Sequence, residues 1–141
     1  MRILFVVFSI FYLSSIAQAV NLTVIVTGFK NNKGAAQISL YNKYGTIPDK
    51  NQDKFYKTKR VFIINKKVKV VFENLPKGRY AISVYHDENN NYKLDKGLFL
   101  PKEGVGLSNF NTFSLFNFPS FKKASFLLNN NKEIKIKIIY L

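Results

Sequence analysis

The sequence predicts an all-β sandwich, and three observations carry that prediction. Apolar residues recur at every second position in segment after segment, the period of a strand with one buried face. Clusters of Gly, Asn, Pro and Lys separate those segments at short intervals. No segment of the mature chain carries a convincing helical period. About seven strands can be counted, and antiparallel pairing is expected between them.

The first nineteen residues stand apart and read as a secretion signal. Met1-Arg2 supplies the positive start, Ile3 to Ile16 the apolar core, and Ala17-Gln18-Ala19 a small-x-small cleavage site. The apolar run falls short of the roughly 20 residues that span a bilayer, and no basic stop follows it. Cleavage after Ala19 is therefore expected, leaving a single domain over 20–141 that is periplasmic or secreted and not membrane-spanning. With no cysteine there is neither a disulfide nor a lipid-attached thiol. Stability must come from a hydrophobic core, which about 120 residues can bury.

Leu22, Val24 and Val26 alternate with Thr23, Ile25 and Thr27 in a first strand. Lys30 to Gly34 is a turn, and Ala36, Ile38 and Leu40 face inward in a second strand. The short connector predicts a hairpin between these two. Residues 42–58 are polar and loop-like. Arg60–Ile64 and Lys67–Glu73 read as the next strand pair, joined at Asn65-Lys66. After the turn at Asn74 to Gly78, Tyr80, Ile82 and Val84 alternate with Ala81, Ser83 and Tyr85 in a central strand. Lys96 to Phe121 is long, irregular and rich in Phe, and its rings are expected to cover an open end or face of the sandwich. Ala124, Phe126 and Leu128 form a strand, and Ile134, Ile136 and Ile138 the last one.

The chain has 22 basic against 8 acidic residues, and losing Arg2 with the leader takes the net charge from +14 to +13. Such a field attracts anionic envelope components, glycans or lipid head groups. Many of the lysines, such as Lys67, Lys69, Lys135 and Lys137, simply alternate along strands, so a binding footprint requires clustering on one face. Nucleic acid is not an expected partner of an exported chain without a recognition motif. Tyr41, Tyr44, Tyr56, Tyr85 and Tyr92 would stack on sugar rings wherever they gather.

The central strand ends in a loop crowded with oxygen-bearing side chains. Asp87, Asn89, Asn91 and Asp95 stand at relative positions 1, 3, 5 and 9, the opening of a calcium-loop spacing, with the Lys93 carbonyl as a fifth donor. Two departures weaken that pattern. Tyr92 occupies the sixth position, where glycine permits the sharp turn, and Leu98 the twelfth, where a bidentate Glu is usual. Glu103 or Glu88 would have to complete the shell. The alternative is a metal-free turn in which Asp and Asn side chains cap backbone amides.

Taken together, these stretches resemble the secreted bacterial proteins of the domain of unknown function 2141 family. The matching pieces are Leu22 to Gly28, Leu75 to Tyr80, His86 to Asp95, Pro101 to Asn109 and Phe118 to Phe121. The resemblance implies an immunoglobulin-like or transthyretin-like sandwich and no particular reaction. Its pattern has Gly where Tyr92 stands here.

His86 is the sole histidine and shares the face of Ile82 and Val84. Catalysis would require a nucleophile or carboxylate partner, and the sequence marks none. The expectation is a non-enzymatic exported binding or structural module with a calcium-ordered or self-capped loop at 87–95. Recognition of an anionic glycan or lipid at a basic, tyrosine-bearing surface is the alternative, and a hydrolase around His86, Asp87 and Glu103 a remote third.

Overall fold

Strands form at eight places in a computed structural model that describes residues 18–98, 100–114 and 116–141. All but the last two residues of the expected leader lie outside the described residues. The strands are β1 (Val20–Thr27), β2 (Ala35–Tyr41), β3 (Lys57–Phe62), β4 (Lys67–Leu75), β5 (Gly78–Asp87), β6 (Val105–Leu107), β7 (Phe126–Leu128) and β8 (Lys132–Lys137). A single helical turn, α1 (Phe121–Ala124), precedes β7. No helix among the described residues is long and apolar enough to cross a membrane.

The strands form two sheets. One has the order β4-β1-β8; the other runs β3-β2-β5, with β6 and β7 sharing the far edge of β5. Their inner faces carry the residues that the alternation marks. Leu22, Val24 and Val26 of β1 and Phe72 of β4 meet Ile38 and Leu40 of β2 and Ile82 and Val84 of β5, all essentially fully buried. Each such side chain contributes about 1.5–3 kcal/mol relative to an exposed one, so this layer is what holds the sheets together.

Three pairing expectations are corrected. β1 and β2 form no hairpin: β1 pairs antiparallel with β4, and β2 with β3 and β5 in the opposite sheet. Nor are β3 and β4 partners. Asn65 and Lys66 do make a tight turn with φ +51° and +57°, but a single bridge, Ile64 to Lys67, is all that follows before the strands part into different sheets. The set is not wholly antiparallel either, because β8 runs parallel to β1 from Leu22–Lys132 to Thr27–Lys137. The reason is common to all three. An alternating strand satisfies its burial equally well from either side of the sandwich, so a short connector can turn a corner between sheets instead of closing a ladder.

Part of the outer face of the larger sheet is buried too, which alternation did not anticipate. Tyr41, Ala81 and Leu107 pack there against Phe110, Phe121 and Ala124 in a second apolar cluster, with Phe113 stacked on Phe110 at 5.7 Å between centroids. The Ser108 hydroxyl accepts from the Ile82 amide (2.9 Å) and donates to the Ala124 carbonyl (2.7 Å), tying this cover to β5. The Phe-rich stretch is thus divided: Phe110 and Phe121 are core, whereas Phe116 and Phe118 are 98% and 64% exposed. β6 escaped the sequence reading because it is three residues long and its middle one, Gly106, has no side chain to show a period.

Candidate functional site

Asp87 ends β5 with its side chain fully buried, and the loop is organised around that carboxylate. Its Oδ1 accepts the Asn91 amide (3.0 Å) and its Oδ2 the Tyr92 amide (2.9 Å). Arg60, reaching over from β3, sets Nη1 2.6 Å from the same Oδ2, angled off the hydrogen-bond line so that the contact is an ion pair. The other guanidinium nitrogen, Nη2, donates to Asn90 Oδ1 (2.7 Å), and the Tyr92 ring lies 4.1 Å from the guanidinium carbon. One cation therefore holds the start, the tip and the far side of the loop.

The remaining oxygens are spent on the backbone. Asn89 Oδ1 accepts the Asn91 amide (3.1 Å) and Asn91 Oδ1 the Lys93 amide (2.9 Å), each two residues on. The side-chain amides of Asn89 and Asn91 in turn donate to the two Asp95 oxygens, at 2.7 and 2.9 Å. Buried Glu103 closes the loop by accepting the amides of Glu88 (3.0 Å) and Asp95 (3.1 Å). Burial pushes the Glu103 carboxyl above its usual value, and those two amides pull it back. Lys30, 2.6 Å from Glu88, holds that neighbouring carboxyl below its usual value together with Asn31.

The candidate metal residues Asp87, Asn89, Asn91 and Asp95 are thus gathered in one loop, as their spacing suggests, with Lys93 contributing its N–H to Asn91. A hard cation wants six to eight converging oxygens, and these oxygens face amide protons instead. Among the described residues no three His, Cys, Asp or Glu side chains are grouped to hold a metal ion. The donor set fits a self-capped loop whose positive charge is Arg60. Tyr92 does take the left-handed turn, at φ +63°, without glycine's freedom. Its amide bond to Asp87 and its stack on Arg60 offset the strain.

His86 faces the inner core and is wholly buried. Nε2 lies 2.7 Å from the Lys33 carbonyl, which can only accept, so that nitrogen carries the proton. Nδ1 then accepts from the Tyr140 hydroxyl at 2.8 Å, and that oxygen accepts the Lys30 amide at 3.0 Å. Every polar atom of the imidazole is committed to holding the β1–β2 connector and the C-terminal segment together.

Beside the loop, on the outer face of β2 and β5, opens a cleft of about 560 Å³. Tyr85, Tyr92 and Phe55 supply its aromatic surfaces, and Lys50, Lys93 and Lys96 its charge. Gln37, Gln52 and Asn51 add amides that donate and accept. The Lys96 ammonium bonds the Lys50 carbonyl (3.3 Å), drawing the 42–56 loop over one side. Burial, and then the charge of Asp87, push the Tyr85 phenol up to about 12, so it stays protonated. Of the five tyrosines singled out, Tyr85 and Tyr92 meet here and Tyr41 lies in the adjoining groove. Tyr44 packs on Phe121 and Tyr56 on Tyr80 instead.

A family model described as "Uncharacterized protein conserved in bacteria (DUF2141)" matches residues 24–137. The chain belongs to that family. Comparison with curated proteins and with solved structures finds no match. In this DUF2141 protein the matched span runs from β1 to the end of β8, and so takes in both the Asp87 loop and the cleft. Arg60 is the residue that reading the strands overlooked. It is one of only three arginines in so lysine-rich a chain, a choice with a physical reason where a planar, multiply bonding cation is needed. Phe55 and Lys50 carried no such signal, lying in a loop with no periodicity.

Proposed function

We propose that this DUF2141 protein is an exported, non-enzymatic binding module, periplasmic or secreted, that takes an anionic group of an envelope glycan or lipid in the cleft beside the Asp87 loop. The observation that carries the reading is the meeting of Tyr85, Tyr92 and Phe55 with Lys50, Lys93 and Lys96 around one concavity. Aromatic faces with a few convergent polar groups are what small-molecule sites are built from, and three ammonium groups select for negative charge. Asp95, the acidic side chain at its edge, is held by the side-chain amides of Asn89 and Asn91, and against it the three lysines leave the cleft with a positive balance.

Export is supported by the leader pattern and by a first strand that begins at Val20, directly after the Ala17–Ala19 cleavage motif. A non-enzymatic role is supported by His86, whose ring nitrogens are both engaged in the core. The two-sheet architecture agrees with the immunoglobulin-like or transthyretin-like sandwich that the family resemblance implies. In this reading the 87–95 loop is a rigid wall of the site, ordered by Arg60 and its own hydrogen bonds instead of calcium.

The test is titration with glucuronate and with glycerol 3-phosphate, followed by amide chemical shifts. Shifts concentrated at Tyr85, Tyr92, Lys93 and Lys96, weakened by at least tenfold in Lys93→Ala/Lys96→Ala, are expected. Absence of any localised shift with both anions would sink the reading.

A further inference from the structure

Behind the cleft the same sheet face continues as a groove of about 390 Å³, within the size range of small-molecule pockets. Ser39, Lys50, Gln52, Tyr85 and Leu94 line both spaces, so the two share a wall. The character changes along the way. Where the cleft is charged, the groove is bounded by Ile47, Pro48, Val105, Leu107, Phe113 and Pro119. Its acidic side chain, Asp49, is engaged by the protein itself, accepting from the Tyr41 hydroxyl (3.1 Å) and from the amides of Asp53 and Lys54. At the rim Leu100, Phe118 and Leu141 remain 54%, 64% and 48% exposed, an apolar surface continuous with the groove. Such a surface on a chain carrying +14 is unusual unless something apolar covers it.

We infer that cleft and groove form one site for a single-chain anionic amphiphile, with the acyl chain in the groove and the acidic head at Lys50, Lys93 and Lys96. The inference rests on the cleft reading above and names its ligand class. Charge complementarity sets the orientation: Lys93 and Lys96 stand only at the cleft end, Lys50 lies where the two spaces meet, and the apolar rim stands only at the other end. The polar wall between them, with Ser39, Gln52 and Tyr85, suits the carboxyl or ester junction of such a molecule.

Calorimetric titration of the purified exported protein with octanoate, decanoate and dodecanoate tests this. Glycerol 3-phosphate serves as the chainless anion and dodecyl maltoside as the neutral-headed chain. Affinity should climb by about two- to fourfold for each methylene that the groove buries. Ser83→Leu, which fills the groove floor, and Leu100→Lys, which changes only its exposed rim, should both flatten that climb. Lys93→Ala/Lys96→Ala should weaken every chain length by a similar factor. If glycerol 3-phosphate binds at the cleft but chain length has no effect, the amphiphile inference falls and the cleft reading stands. If affinity rises with chain length yet neither groove variant alters it, the chain sits elsewhere and the inference falls. Equal binding of dodecyl maltoside and dodecanoate would overturn the head-group assignment and the cleft reading with it.

Discussion

Arg60 shows how much one side chain can organise. It neutralises a fully buried carboxylate, bonds Asn90 and carries the Tyr92 ring, so its removal leaves Asp87 charged and without a counter-charge. Arg60→Ala should cost about 3–5 kcal/mol, the range for breaking a buried ion pair, read as a loss in urea-unfolding free energy. Arg60→Lys should recover only part of it, because an ammonium cannot bond and stack through one plane. The two glutamates nearby titrate in opposite senses. Lys30 and Asn31 hold Glu88 below its ordinary value of 4.5, so the folded chain binds fewer protons there. The stability Glu88 adds is present above about pH 4.5 and is lost as pH falls through its lowered value. Burial raises Glu103, so its contribution declines as pH rises through the raised value. Glu88→Gln should therefore flatten the acid limb of a stability–pH curve; an unchanged limb would contradict the Lys30 pairing.

At the scale of elements, the Asp87 loop and the β1–β2 connector are fastened to each other. Gly34 crosses the end of β5 at φ +66°, and a Cβ there would collide with the Asp87 carbonyl oxygen. Gly34→Ala must move backbone, and a thermal melt should show about 1–3 kcal/mol of destabilisation. Tyr92 is the converse case. Tyr92→Gly relieves a left-handed residue, worth about 1 kcal/mol, but forfeits a stack of similar size on Arg60, so net stability should change by less than about 1 kcal/mol. Anion binding in the cleft should weaken all the same. A variant that is both stable and fully competent to bind would remove Tyr92 from the site.

Over the whole molecule, the sharpest division is between a loop ordered from within and one ordered by an ion. Asp87 is paired to Arg60 and the Asn and Asp95 oxygens are hydrogen-bonded within the loop, and on the self-capped reading proposed above no stabilisation from added Ca²⁺ is expected. Millimolar Ca²⁺ should leave the Tm of the wild type unchanged, since only binding that favours the native state raises it. A rise of several degrees, lost in Asp87→Ala, would return the loop to the metal reading. The same global view explains the groove. Three long connectors roof the outer face of β2 and β5, and only their joint packing leaves a passage there.

Much of this was legible in one dimension. Period-two burial marked β1, β2, β4, β5 and β8, because a strand's two faces are written into alternate residues whatever lies opposite. The clustering of Asp87, Asn89, Asn91 and Asp95 was readable for the same local reason, as was family membership. What tertiary structure alone decided was partnership. Nothing in β1 says that it lies against β4 and β8, since its apolar face is equally content in either sheet. Nothing in the 87–95 spacing says that a guanidinium from residue 60 supplies its positive charge. Those choices, and the cleft they create beside Tyr85 and Tyr92, depend on contacts between residues far apart in the chain, where local pattern carries no information.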